Sequence, residues 1–170
     1  MDAIMLGNPT AEIPGLIEAL MDPDPEVRKE ARVSLIIYGK LAVCPLIAAL
    51  SWPNSELRLS IVEVLSKIHK PEALPALVEV LQDKNCEVRR AAAENLIGFR
   101  QHAIRPLVKA LAEDAHSVWL REGAHKVLVA LKELGYLNEP VEMVLDALRS
   151  DFPETAMSPA ARTALEMMCQ

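Results

Sequence analysis

Two stretches decide how this chain folds: IPGLIEAL at residues 13–20 and LPALVEVL at residues 74–81. Both have a proline in second position and apolar residues in the first, fourth, fifth and eighth positions. That spacing gives one face of an amphipathic helix. The same pattern surrounds Pro45 and Pro106, so the prolines recur every 30 or 31 residues. A period of this length predicts an array of helical repeats, and we call the helices that carry the prolines A helices. Each proline is expected in the first helical turn, where its missing N–H costs nothing.

A second helix, the B helix, is predicted after each A helix and a short polar turn. Apolar columns recur along the B helices at Val27/Leu57/Val88/Leu120, Ala31/Ile61/Ala92/Ala124/Ala161 and Leu35/Leu65/Leu96/Leu128/Leu165. Gly39 and Gly135 should end the first and fourth B helices, and Ser158-Pro159 should open the fifth. We therefore predict an all-α fold, an α-solenoid of about five helical pairs. The array should form a single domain, residues 1–170, with units of about 13–42, 43–73, 74–103, 104–136 and 137–170.

The composition agrees with this class. The chain has 170 residues, of which 51% are hydrophobic and 4% aromatic, with only 6 glycines. That balance excludes a disordered chain and argues against β-sandwiches and barrels. The net charge of −6 disfavours nucleic acid as a partner. No run reaches the ~18 apolar residues of a membrane span, and no basic segment opens the chain. Three cysteines without a CxxC motif indicate free thiols, so we expect a cytoplasmic protein.

These repeats resemble HEAT repeats, specifically the short bacterial and archaeal type also found in phycobilisome lyase-like proteins. The resemblance rests on residues 13–20 with Asp22 and Val27-Arg28, and on residues 74–77 with Asp83 and Val88-Arg89. It covers about residues 13–168. The second unit departs from the pattern because Trp52-Pro53 replaces the turn aspartate. The resemblance specifies the architecture strongly and the function weakly, because such solenoids serve many roles.

One column of the B helices is basic and consists of Arg28, Arg58, Arg89 and Arg121. The resemblance implies a structural ladder between this column and the turn aspartates Asp22, Asp83 and Asp114. The planar guanidinium suits a ladder because it makes several oriented hydrogen bonds. The other interpretation is a stripe that binds anions.

The exposed face of the B helices is the candidate site for a partner. In arrays of this type the B helices usually line the concave surface. The residues that avoid the core columns there mix charge with apolar side chains, and such a patch suits a partner helix or extended peptide. Packing between repeats could equally cover the apolar members. The predicted partner-binding residues are Lys29, Arg32, Ile36, Leu59, Val62, Arg90, Ile97, His125 and Val129.

Catalytic and metal sites are not predicted. No two of the four histidines are three or four residues apart, which is the spacing that puts metal ligands on one face of a helix. The His-Glu pairs of the HEAT-like deoxyhypusine hydroxylases are absent, so that activity does not carry over. Phosphate-loop and nucleophile-elbow motifs are absent as well. We expect Cys44 to be a small core residue, Cys86 a solvated turn residue and Cys169 a tail residue. Gly123, inside the fourth B helix, should allow a close approach by a neighbouring helix or give room beside the bulky Trp119.

Two functions follow as hypotheses. The first is a non-enzymatic scaffold or adaptor that binds a partner helix or peptide on the concave B-helix face, without a cofactor. The alternative, implied by the resemblance alone, is a subunit of a bilin lyase or another pigment-attachment factor. We also hypothesise a weak homodimer through the C-terminal repeat, because Met167 or Met168 would otherwise be uncovered.

Overall fold

The computed structural model describes residues 8–150 and 153–168. The expectations for the first seven residues and for Cys169 lie outside this range. The described residues form ten α-helices and no strand, which confirms the all-α solenoid class. The helices are α1 Pro9–Ala19, α2 Pro25–Tyr38, α3 Lys40–Ala49, α4 Ser55–Ile68, α5 Leu74–Val80, α6 Cys86–Gly98, α7 Ile104–Glu113, α8 Val118–Glu133, α9 Glu139–Leu148 and α10 Pro153–Met167.

The helices group into two compact units that divide between Ala73 and Leu74. In the first unit, α1 packs on α2 and α3 packs on α4, and the two pairs meet through α1–α3 and α2–α4 contacts. The predicted core columns fill its interior, with Leu35 and Ile61 fully buried, except that Val27 is half-buried. In the second unit, α5 packs on α6, α5 on α7 and α6 on α8. Leu77, Leu96, Leu107, Leu120 and Leu128 are fully buried there.

The turn residues set where the B helices begin. Asp24, Asn54, Asn85 and Ser117 cap α2, α4, α6 and α8, and each side chain accepts a hydrogen bond from a main-chain N–H of the first turn. Such caps satisfy donors that have no partner within the helix. The predicted glycine ends are confirmed, because Gly39 (φ 56°) and Gly135 (φ 77°) have the left-handed backbone that favours glycine.

The recurring prolines lie deeper in the helices than predicted in the first unit. Pro14 and Pro45 are inside α1 and α3, which begin at Pro9 and Lys40. In the second unit a 3₁₀ segment, Arg100–Ala103, comes before α7, and Pro106 lies in that helix's first turn as expected. A 3₁₀ segment, Pro71–Ala73, likewise precedes α5, where Pro75 is the second residue.

The last pair departs from the predicted stacking. α10 begins at Pro153, so the expectation that Ser158-Pro159 opens this helix was wrong. Pro153 suits a first helical position because its fixed φ and missing N–H cost nothing there. α10 packs against α7 and α9, burying Met157, Ala161 and Ala164. The Ser158 hydroxyl donates to the Ala112 carbonyl of α7 over 3.1 Å.

Candidate functional site

The B-helix surface of the first unit is formed by α2 and α4. Lys29 is exposed and pairs with Glu26 at 3.0 Å. Arg32 reaches from α2 to Glu63 of α4, with 3.5 Å between Nη1 and Oε2. The predicted apolar members Ile36 and Leu59 lie half-buried beside these charges.

Val62 does not belong to this surface. Its side chain is 0% exposed, so the prediction that it contacts a partner was wrong. The cause is the wide buried arc of α4, which buries seven of its fourteen residues, whereas α2 buries three of fourteen. Val62 is therefore a core residue of α4.

The B-helix surface of the second unit is formed by α6 and α8. Arg90 is exposed and pairs with Glu87 at 2.6 Å and with Glu94 at 3.2 Å. These carboxylates raise the pKa of Arg90, with the Glu87 hydrogen bond as the largest cause. Lys126 of α8 lies 3.8 Å from Glu94, which links the two helices.

The other predicted members of this second surface are less accessible. Ile97, His125 and Val129 are half-buried. His125 Nε2 lies 3.4 Å from Nε of Arg149, at the end of α9. Both B-helix surfaces are thus charged, with apolar side chains partly accessible between the ion pairs.

The chemistry of these surfaces follows from their solvent exposure. Exposed ion pairs contribute only about 0–1 kcal/mol each, because water and salt screen them. A carboxylate or cation of a partner can therefore replace one member of such a pair at little cost in free energy. The half-exposed apolar residues would then lose their remaining contact with water.

The four arginines of the basic column share one bonding pattern. In each, Nη1 donates to the main-chain carbonyl six residues earlier, at distances of 2.6–2.9 Å. The acceptors are Asp22, Trp52, Asp83 and Ala115. The column therefore holds each A–B turn against its own B helix.

The turn aspartates have a separate role. Oδ1 of Asp22, Asp83 and Asp114 accepts main-chain N–H groups two or three residues later in the turn. A ladder that pairs the arginine column with these carboxylates stays a prediction. Arg89 also lies over the Trp119 ring, 4.7 Å from its centroid, at the geometry of a cation–π contact.

Two grooves on the A helices were missed by the sequence reasoning. In the first unit, a groove of about 220 Å³ is lined by Pro14 and Pro45, with Trp52 beside them. In the second unit, a groove of about 370 Å³ is lined by Pro75 and Pro106. The recurring prolines are the signal that could have found them, because each unit brings two together.

The cysteines and histidines form no site in the parts of the chain that the structure describes. No cluster of His, Cys, Asp and Glu there could hold a metal ion. Cys44 is exposed, so the expectation of a core residue was wrong, and Cys86 is exposed as expected. Among the described helices, none has both the length and the apolar character needed to cross a bilayer.

Comparison with known proteins adds to this geometry. The family model for HEAT repeats matches residues 13–97 and 43–128. One similar solved structure is a chain from the complex of CpcE and CpcF of phycocyanin lyase from Nostoc sp. PCC7120. It has 25% sequence identity and a TM-score of 0.58, over 91% of this chain and 98% of that chain. No curated protein matches the chain.

Proposed function

The chain belongs to the HEAT-repeat family, and on that basis we propose that it is a non-catalytic scaffold whose B-helix surfaces bind a helix or extended segment of a partner protein. The observation that carries the proposal is the exposed charge of these surfaces, with Lys29 on the first unit and Arg90 on the second. Ile36 and Ile97 lie half-buried on the same helices.

The partner segment should be amphipathic. Its charged residues would replace the intramolecular partners of Arg32 and Lys126, which reach across neighbouring helices at 3.5 and 3.8 Å. Its apolar residues would cover the half-buried side chains. Mixed polar and apolar contacts of this kind are usual in interfaces that are not obligate.

The test is affinity capture with a charge-reversed variant. Arg90→Glu/Lys126→Glu changes two exposed side chains on the second surface and should leave the fold intact. Lys109→Glu is the matched control, because Lys109 is exposed on the A helix α7. The tagged wild type, variant and control are incubated with extract of the native host, and bound proteins are identified by mass spectrometry.

The expected result is one partner retained by the wild type and Lys109→Glu but lost by Arg90→Glu/Lys126→Glu. Equal capture by all three chains would contradict binding on this surface, as would the absence of any specific partner. Val62→Asp is unsuitable for the test, since burying a carboxylate in the core of α4 would unfold the chain.

A second candidate function is a subunit of a bilin lyase or another pigment-attachment factor. It is supported by the similarity to a chain of the phycocyanin lyase complex over nearly the whole length of both chains. Adding a free bilin to the purified chain tests it by visible absorption and fluorescence. A spectral shift that saturates with bilin would support this function, and an unchanged bilin spectrum would contradict pigment binding by this chain alone.

A further inference from the structure

A straight stripe of four exposed residues runs along α2 away from its packed side. Glu26, Glu30, Val33 and Ile37 are spaced by four, three and four residues, which keeps them on one side of a helix. Val33 is 51% and Ile37 is 44% exposed. We call these four residues the α2 stripe.

The stripe lies opposite the core of the first unit. Ala31, Leu35 and Tyr38 form the buried side of α2. Arg32 marks the side on which α4 packs, because it pairs with Glu63. At 100° per residue, Val33 lies about 100° further around the helix than Arg32.

The exposure of the apolar residues Val33 and Ile37 is unusual for a helical repeat. The apolar face of one repeat is normally covered by its neighbour, and the outer face of a terminal repeat is normally polar. α2 is the first B helix, so no earlier pair in the described residues can cover its stripe. The stripe is acidic at its N-terminal end and apolar at its C-terminal end.

The charges of the stripe decide what can cover it. In a parallel pair of α2 helices from two copies, Glu26 and Glu30 would face their own counterparts and repel. In an antiparallel pair, Glu26 would face Ile37 and Glu30 would face Val33, which desolvates carboxylates against apolar side chains. A second copy is therefore a poor occupant in either direction.

We propose that the α2 stripe is a docking surface for a basic amphipathic helix of a different protein. The occupant presents two apolar residues, four positions apart, to Val33 and Ile37. One and two turns before these apolar residues, on the same side of its helix, the occupant presents Lys or Arg to Glu30 and Glu26.

The α2 stripe borders the B-helix surface of the first unit, because Glu26 also pairs with Lys29 of that surface at 3.0 Å. A basic residue of the occupant would replace Lys29 at Glu26, whereas the proposed function is tested separately at Arg90 and Lys126 of the second unit.

The test uses a labelled synthetic helical peptide and the full chain. The peptide carries a Lys-Lys-Leu-Leu stripe with spacings of four, three and four residues in an alanine and glutamine host. Binding is followed by fluorescence anisotropy. We expect saturable binding that weakens with added NaCl, because the contacts with Glu26 and Glu30 are screened.

Two variants and one control locate the binding. Val33→Ser/Ile37→Ser and Glu26→Lys/Glu30→Lys should each weaken binding about tenfold or more, because each removes half of the stripe. Val118→Ser/Leu134→Ser is the matched control, since Val118 and Leu134 are 54% and 58% exposed in the second unit. The control should bind the peptide as the wild type does.

A charge-swapped peptide, with Glu in place of Lys, makes the test reciprocal. It should bind Glu26→Lys/Glu30→Lys and fail to bind the wild type. The proposal is overturned if the original peptide does not bind, if Val33→Ser/Ile37→Ser binds it equally, or if the swapped pair does not restore affinity. It is also overturned if sedimentation detects a dimer of the chain that Val33→Ser/Ile37→Ser abolishes, because the occupant would then be a second copy.

Discussion

Gly123 lies inside α8, where any side chain would meet Leu81. A Cβ at this position would be 2.9 Å from Leu81 Cδ2 and 3.2 Å from Leu81 Cβ. Leu81 is buried, and its Cβ can move only together with the main chain. The predicted close approach at this glycine is therefore confirmed, and the neighbour is the residue that follows α5.

We expect Gly123→Ala to destabilise the chain, although alanine is the better helix former. Overpacking a core costs about 1–3 kcal/mol. The gain in helix propensity is about 1 kcal/mol. The unfolding free energy from chemical denaturation should therefore fall by up to about 2 kcal/mol.

Gly15→Ala is the matched control for that measurement. Gly15 also lies inside a helix, α1, but nothing is within 4 Å of the position of its Cβ. Gly15→Ala should raise the unfolding free energy by up to about 1 kcal/mol. Equal effects of the two substitutions would show that Leu81 does not constrain Gly123.

The hydroxyl of Tyr38 donates a hydrogen bond to Oε2 of Glu12, and Tyr38 is buried. This hydrogen bond is the largest cause that raises the pKa of Tyr38 above 10.0, followed by burial and the negative charge of Glu12. The folded state therefore favours the protonated phenol. The resulting stabilisation is present below pH 10 and is lost as the pH rises through the folded pKa.

Tyr38→Phe should remove this pH dependence. Denaturation from pH 7 to pH 11 should give a variant that is less stable than the wild type at pH 7, with a difference that shrinks above pH 10. Glu12→Gln keeps the phenol but removes the charge, which lowers the folded pKa of Tyr38. The decrease in stability should therefore be smaller and should end at a lower pH than in the wild type. A stability difference that stays constant over the whole range would contradict the role of this hydrogen bond.

At the scale of helices, Arg100 follows the end of α6 in a backbone conformation that favours glycine. Its φ of 55° is in the left-handed region, while Gly39 and Gly135 occupy comparable helix ends with positive φ. A residue with a Cβ costs roughly 1–2 kcal/mol in that region. Arg100→Gly should therefore raise the unfolding free energy by about 0.5–1 kcal/mol.

Gln101→Gly is the control for Arg100→Gly. Both residues are exposed and adjacent, but Gln101 is not among the residues with positive φ. Gln101→Gly should lower the unfolding free energy, because glycine gains freedom in the unfolded chain without relieving strain. Stabilisation by both changes, measured by thermal denaturation, would argue against a backbone cause.

The helices could be predicted from the sequence where burial follows a single period. Leu35, Leu65, Leu96 and Leu128 are buried as expected, because each occupies the same position in its B helix. Leu165, the fifth member of this predicted column, is only half-buried on α10. The start of α10 could not be predicted from the sequence. Ser158-Pro159 has the cap signature of a helix start but lies inside a helix that begins at Pro153. Helix starts are decided by packing as well as by caps, and α10 packs against α7 and α9.

The candidate site was less predictable than the fold. A column assigns the same exposure to every repeat, so Val62 of α4 was expected to be accessible like Arg32, its half-buried counterpart in α2. Exposure depends on how many sides of a helix are covered, which differs between α2 and α4. Val33 and Ile37 were not among the predicted partner-binding residues, although both are exposed on α2.

For the whole molecule, the sequence predicts a weak homodimer through the last repeat. Met167 is 45% exposed on α10, whose other side is buried against α7 and α9. The net charge of −6 makes two copies repel, so added salt should strengthen this dimer. Binding of a basic helix to the α2 stripe should respond to salt in the opposite direction, which separates the two interactions.

Sedimentation equilibrium over a range of protein and NaCl concentrations measures this self-association. The mean mass of the wild type should rise with protein concentration, and more steeply at high salt. Met167→Glu should abolish the rise, because the dimer would bury two carboxylates against each other. Met143→Glu is the matched control, since Met143 is equally exposed but lies on α9. A single-chain mass at every concentration, or an unchanged rise with Met167→Glu, would contradict a dimer through α10, because no other large apolar side chain among the described residues of that helix is as exposed.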